Sequence, residues 1–235
     1  MDYKKAFIRA ILAGMAIGIG GFVYLGCEVR WVGAVLFSIG LFTVFTFGFD
    51  LYTGKVGYAV ENDRSYIPYL LLVIVGNFVG CLALGLALPS DAAEALAQAK
   101  LDDPDYIRVF FKGVFCGVLM FIAADYYKTK KKYLATFICV PVFILAGFEH
   151  SIADMFYFCA GGQFTLGALA FIIVVILGNA VGGMIIPAAR KYIYEETAAR
   201  WRPSYGPTSS AAPSASWGRS PPRPSWLCSR STCST

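Results

Sequence analysis

Titratable side chains are scarce in this chain, and the scarcest kinds exclude whole classes of function. There is one histidine, His150. A single imidazole cannot supply two axial haem ligands, and the seven cysteines form no Cys-x-x-Cys pair that would hold a cluster or a zinc ion. Cys27, Cys81, Cys116, Cys139 and Cys159 stand alone in or beside apolar stretches and read as small packing residues. No nucleophile–base pair and no phosphate-binding glycine loop is present, so neither an enzyme nor a cofactor or metal is expected. Charged residues make up 15% of the 235, against about a quarter in a soluble domain. The net charge of +5 is spread over short loops and the C-terminal tail, so nucleic acid is not an expected partner.

What the chain has is apolar length. Hydrophobic residues reach 57%, and the 24 glycines suit helices that pack closely in a bilayer. A bilayer crossing takes about 20 apolar residues, and six stretches qualify. They run from about Phe7 to Leu25, from Trp31 through a polar interruption at Asp50 to Lys55, from Tyr66 to Leu88, from Ile107 to Tyr126, from Tyr133 through an interruption at Glu149-His150, and from Phe164 to Tyr192. No period-two alternation marks strands, so the fold class is an all-α membrane protein. Lys4, Lys5 and Arg9 ahead of an apolar run ending at Leu25-Gly26-Cys27 faintly resemble a secretion signal. The spans that follow favour a retained helix.

Basic residues set the expected orientation. Lys4, Lys5, Lys55, Arg64, Lys128, Lys130, Lys131, Lys132, Arg190 and Lys191 fall on one side. The other side holds Arg30, Lys100 and Arg108 with Asp91, Glu94, Asp102, Asp103 and Asp105. The positive-inside rule then puts both termini in the cytoplasm.

Three landmarks recur in one order. Phe7 to Gly14 resembles Phe110 to Gly117, Gly48-Phe49-Asp50 resembles Gly147-Phe148-Glu149, and Gly76-Asn77-Phe78-Val79-Gly80 resembles Gly178-Asn179-Ala180-Val181-Gly182, at offsets of 103, 99 and 102 residues. Each half carries three spans, so the two halves insert with opposite topology, and the broken middle helices point to a midplane site. The expected domain covers 1–197, with repeat one at about 5–90 and repeat two at about 106–195. Residues 198–235 are rich in Ser, Pro and Arg and read as a disordered tail, of a composition that a frameshift or foreign read-through would produce.

His150, beside Glu149, sits in the middle of a membrane-length apolar stretch, and ionisable groups there face a pathway or a partner. Its unperturbed pKa, about 6.5, lets an imidazole change charge near physiological pH. A histidine that merely ties two helices together is the alternative. Thr53, at the first break, offers a hydroxyl to an imidazole or an anion. Gly48 and Gly54 let the backbone leave helical geometry there. For Asp50 a purely structural role, satisfying a broken backbone, stays open.

Taken together, Phe37-Ser38-Ile39-Gly40-Leu41, Asp50-Leu51-Tyr52-Thr53, Gly76 to Gly80, Gly147-Phe148-Glu149-His150-Ser151-Ile152-Ala153-Asp154-Met155-Phe156 and Gly178-Asn179 resemble the landmarks of the formate/nitrite transporter family. The resemblance covers about Phe7 to Glu195. It implies an aquaporin-like six-helix bundle of two inverted three-helix repeats with broken second and fifth helices, one pore per protomer of a homopentamer, in the inner membrane. It implies a channel or proton-coupled transporter for small monovalent anions and their conjugate weak acids, such as formate, nitrite or hydrosulfide, with protons and the lipid bilayer as the other partners. His150 would be the central pore histidine, governing protonation, with Thr53 bonded to it and Glu149 orienting it. Phe37, Leu41 and Leu51 would line the cytoplasmic constriction, and Tyr52, Phe143 and Met120 the outer one. Lys100 would attract anions, although Asp102, Asp103 and Asp105 follow it. Two further departures are Cys116-Gly117, where the family has Cys-Asn, and Asp154, where it often has Asn. An aquaporin-like channel for water or neutral solutes is the alternative function, disfavoured by the lack of any Asn-Pro-Ala box.

Overall fold

Asp2 accepts the Lys5 N–H at 3.2 Å and starts the first helix, α1 (Tyr3–Leu25). The residues α1 buries, Ala6, Ala10, Ala13, Gly14 and Ile17, recur every three or four positions and form a small-residue stripe. Ile8, Leu12 and Ile19 point outward. The structure, a computed structural model, describes residues 2–200, with side chains to Ile193. After α1 come α2 (Arg30–Phe47), the short α3 (Tyr52–Lys55) with a 3-10 turn at Val56–Glu61, α4 (Tyr66–Ala87), α5 (Asp91–Leu101), α6 (Tyr106–Lys130), α7 (Leu134–Ala146), α8 (Ser151–Ala160) and α9 (Leu166–Arg200). Among the described residues there is no strand.

Among the described residues five of these helices are long and apolar enough to cross a bilayer, and α7 with α8, bent by 61°, makes a sixth where the pair is counted as one broken span. Their outward faces carry exposed Leu71, Val75, Phe111, Phe115, Leu169 and Ile173, which need hydrocarbon or another protein surface against them. Residues up to Arg190 form one compact unit, within which every contact below lies. The second unit begins at Lys191, and its described part is the end of α9. That helix runs past the boundary at 197 read from composition. The remainder of the Ser/Pro/Arg-rich tail, 201–235, lies outside the described residues.

Two findings differ from the sequence reading. The stretch expected to be an acidic loop contains α5. Ser90 caps it by accepting the Ala93 N–H at 3.3 Å, Asp91 and Glu94 occupy its first turn and Lys100 its last, and Ala93 and Ala97 are buried beneath it. The two broken helices are also unequal. After the first break four residues of α-helix run directly into the 3-10 segment Val56–Glu61, which ends where Asn62-Asp63-Arg64 returns the chain to polar surroundings. After the second, the apolar run from Ile152 to Ala160 sustains ten residues of helix, all of them buried.

Close approach between helices is built on glycine in both halves. A Cβ on Gly14 would lie 2.1 Å from the Asn77 carbonyl oxygen, and one on Gly117 would lie 2.3 Å from that of Asn179. Gly117, left without a role by the sequence, therefore lets α6 settle against the asparagine of α9.

Candidate permeation site

The chain leaves α2 at Gly48 (φ +66°) and α7 at Gly147 (φ +69°), a left-handed geometry that costs other residues a steric penalty. Each break leaves backbone groups without helical partners, and within a membrane-length span these must be satisfied by the protein or by a cavity. One asparagine from the third helix of the same half answers in both cases. Asn77 Oδ1 accepts the Tyr52 N–H at 2.9 Å, while its Nδ2 donates to the Ala10 and Asp50 carbonyls at 2.7 and 2.9 Å. Asn179 Oδ1 accepts the Ser151 N–H at 2.9 Å, while its Nδ2 donates to the Gly113 and Glu149 carbonyls at 2.8 and 2.9 Å. The two triads match atom for atom and pin each break to the first helix of its own half. The sequence marked Asn77 and Asn179 as repeat landmarks and assigned them no work. Their recurrence after the same Gly, one helix beyond a break, was the available signal.

The pairing extends to charge. Asp50 is buried and holds Arg9 at 2.8 Å and Lys55 at 3.0 Å. Its counterpart Glu149, also buried, has Lys112 at 3.5 Å, and Lys112 occupies the position equivalent to Arg9. The symmetry then fails. The position equivalent to Lys55 is Asp154, an acid, and the missing cation arrives from α5. Lys100 Nζ binds Glu149 Oε2 and stands 3.2 Å from Asp154 Oδ1. Burial works to lower the Lys100 pKa, and the Asp154 and Glu149 carboxylates more than reverse it, holding the ammonium charged beyond the usual lysine range. Lys100 also lies 5.5 Å from the centroid of the Phe171 ring. Among the acids that follow Lys100, Asp102 accepts from Gln98 at 2.8 Å and Asp105 caps α6, accepting the Ile107 and Arg108 N–H groups at 3.1 Å each.

His150 is the residue before α8, where its ring caps the helix. Nδ1 accepts the Ala153 N–H at 3.2 Å, and Nε2 lies 3.0 Å from Thr53 Oγ1. A ring nitrogen that accepts a backbone N–H carries no proton itself, so the neutral ring's one proton sits on Nε2 and is donated to Thr53. The bond joins the two halves, since Thr53 belongs to α3 and His150 to the second break. Both residues are almost wholly buried. The Phe143 ring stacks on the imidazole at 5.5 Å between centroids.

One cavity is lined by His150 itself and a second by Leu51 and Gly54, the residues on the two sides of Tyr52-Thr53. The first, of about 260 Å³, is lined by His150, Phe143, Glu149, Asp154, Lys100 and Lys112 among others. The second, of about 180 Å³, is lined by Leu51, Val44, Lys55, Lys128 and Lys131 among others. Phe37, expected beside Leu41 and Leu51, has its ring edge-on to Phe143 at 5.9 Å, on the His150 side. Tyr52 donates its hydroxyl to the Ile176 carbonyl at 3.1 Å and lines neither cavity. Leu41 and Met120 are buried. Among the described residues no cluster of His, Cys, Asp and Glu is arranged to hold a metal ion.

This arrangement has relatives. The sequence model described as "Formate/nitrite transporter" matches residues 1–193. The nitrite transporter NirC of Escherichia coli (strain K12) is 27% identical over 243 residues, covering 82% of this chain and 90% of the relative. The formate channel FocA of the same strain is 26% identical over 183 residues, covering 65% of this chain and 64% of the relative. A solved structure of a pentameric formate channel with formate bound matches with a TM-score of 0.67 at 22% identity, covering 83% of this chain and 98% of that one. An FNT family ion channel matches with a TM-score of 0.68 at 24% identity over 82% and 89%. The structural likeness establishes the fold, and the match from the first residue to 193 establishes the lineage: this chain is a member of the formate/nitrite transporter family.

Proposed function

We propose that this protein passes small monovalent anions, of the formate and nitrite class, across the membrane as their conjugate weak acids, through a pore in each protomer centred on the His150–Thr53 bond. The observation that carries the reading is that bond itself. It is a polar contact between two mirrored helix breaks; a cavity lined by Lys100 reaches His150, and a second cavity, lined by three lysines, reaches Leu51 and Gly54 beside Thr53.

A bare charge at the centre of a bilayer costs about 2.5–3.5 kcal/mol on insertion scales. An anion that gains a proton before the narrow, apolar part of the path avoids that cost. Lys100 and Lys112 attract the anion into the first cavity. In the chamber the anion sheds water and takes up a proton. The neutral acid then meets the polar edge formed by His150 and Thr53. Leu41 and Leu51 form the constriction on the Lys55 side, and Phe37 with Phe143 the one on the Lys100 side, a division supported by the ring contact of Phe37 with Phe143. Both termini face the cytoplasm by the distribution of Lys and Arg. The exposed apolar faces fit a homopentamer in lipid, the assembly named for a channel of the same fold.

Stopped-flow light scattering on proteoliposomes separates this reading from an aquaporin-like channel. Vesicles holding the protein are expected to swell in isosmotic formate at least about tenfold faster than empty vesicles, a difference of about 1.4 kcal/mol in barrier, and to show no gain in glycerol. Equal gains in both solutes would place the chain with neutral-solute channels.

A further inference from the structure

The permeation account requires a proton in the cavity beside Lys100, and His150 is poorly placed to release one. Its Nδ1 is occupied by the Ala153 N–H and its single Nε2 proton is held by Thr53. Asp154 is different. It is 2% exposed and lines the same cavity. One carboxyl oxygen, Oδ1, is 3.2 Å from Lys100, and the other, Oδ2, is buried with no hydrogen-bond partner. A buried carboxylate oxygen without a donor leaves its share of the charge uncompensated. Lys100 contacts Glu149 Oε2 and Asp154 Oδ1, and its contacts leave Oδ2 unserved.

We propose that Asp154 Oδ2 is the proton-exchanging site of the chamber, and that it delivers the proton which converts a permeating small oxyanion into its neutral acid. The step balances as follows. The O–H bond of the Asp154 carboxylic acid breaks, the proton passes to an oxygen of the entering anion, and the neutral acid moves on. The carboxylate left behind is held by Lys100 until a hydronium ion entering the cavity from bulk water reprotonates it and leaves as water. Lys100 thus serves two acids in turn, Glu149 permanently and Asp154 after each transfer.

The charged and titratable groups facing Asp154 are Lys100 from α5, Lys112 and Cys116 from α6, Tyr24 from α1, Tyr157 on α8 itself, and Glu149 with His150 in the break, while Cys81 of α4 donates to the Ile152 carbonyl. Arg30 of α2 also lines the cavity and donates to the Ile144 carbonyl at 3.4 Å.

This inference rests on the weak-acid reading above, and two experiments keep their failures apart. In proteoliposomes, formate uptake by the wild type is expected to fall about tenfold between about pH 5 and about pH 8. Asp154→Asn, which keeps the shape and loses the exchangeable proton, is expected to flatten that ratio to within about twofold. Wild-type uptake with an unchanged profile in Asp154→Asn overturns the role of Asp154 alone. No uptake of any anion by the wild type overturns the transport reading instead. The second experiment does not depend on transport or on the variant folding. Infrared difference spectra of the wild type are recorded with carbon-13 at the aspartate side-chain carboxyl. A protonated-carboxyl band that shifts with the label and loses intensity when formate is added supports the assignment. The absence of any label-sensitive protonated-carboxyl band between about pH 5 and about pH 8 overturns it.

Discussion

Lys100→Met is expected to destabilise the protein more than any other single change on the surface of the cavity. The substitution fills similar volume and removes the one cation that touches both buried acids, Glu149 and Asp154. Breaking a buried ion pair from one side costs about 3–5 kcal/mol, because the partner's charge is left behind. Lys112, half-buried at 3.5 Å from Glu149, softens that loss without replacing the second contact. For a chain of this size the expected fall in Tm is about 6–20 °C, at about 2–4 °C per kcal/mol, read by fluorescence in detergent. Restoring neutrality with Glu149→Gln and Asp154→Asn in the same chain is expected to recover most of it. The pH dependence has a definite sign. The folded pKa of Lys100 is raised above its unfolded value of about 10.4. The stabilisation is therefore fully present below that value, and it is lost only as pH rises through the higher folded pKa. Wild-type and Lys100→Met stabilities should differ by the same amount from neutral pH up to about pH 10 and converge only beyond it. A Tm for Lys100→Met within about 2 °C of the wild type would contradict the pairing.

Asn179→Leu is the second large effect. The amide makes three hydrogen bonds in a buried place, to the Ser151 N–H and to the Gly113 and Glu149 carbonyls. Leucine is close in size and can make none of them. Each orphaned backbone group costs about 1–3 kcal/mol, so the total reaches at least about 3 kcal/mol. The local effect is sharper than the global one, because Ser151 opens α8 and Glu149 carries the acid that holds Lys100. Thermal unfolding in detergent is expected to shift down by about 6–12 °C. Asn77→Leu is expected to behave alike, since its three partners are equivalent in the other half. Wild-type Tm values for both variants would show that the breaks are held by something else.

Much of this architecture was legible in the sequence because it is written in run lengths and in a repeat. The six spans, the two interruptions and the match of Gly48 with Gly147 all follow from residue types and spacing. The bond from His150 to Thr53 was an implication of family resemblance, and the structure places the two atoms 3.0 Å apart although 97 residues separate them in the chain. Other features were hidden for physical reasons. The helix α5 is weakly apolar, with only Ala93 and Ala97 buried, so neither its period nor its length stood out from a polar loop. The placement of Lys100 between two acids depends on that helix and cannot be read from neighbours that are 49 and 54 residues away in the sequence. Gly117 looked like a lost asparagine, and its use appears only where α6 meets the Asn179 backbone. Asp154 was visible as a departure. Its meaning comes from the equivalence with Lys55, which needs both breaks superposed in space.

Substitution at the central bond tests the whole account most directly. Formate uptake into proteoliposomes, measured with labelled substrate for the wild type and for His150→Phe at matched protein content, reports whether the permeating species meets the imidazole. Phenylalanine retains a ring to stack on Phe143 and removes both nitrogen contacts, to Thr53 and to the Ala153 N–H. Losing a hydrogen bond of about 0.5–1.5 kcal/mol to the neutral acid at the polar edge that His150 and Thr53 form corresponds to a fall of about two- to tenfold. A loss of that size at every pH, with the protein still folded, is the predicted result. Uptake equal to the wild type would show that small acids cross this protein without passing His150.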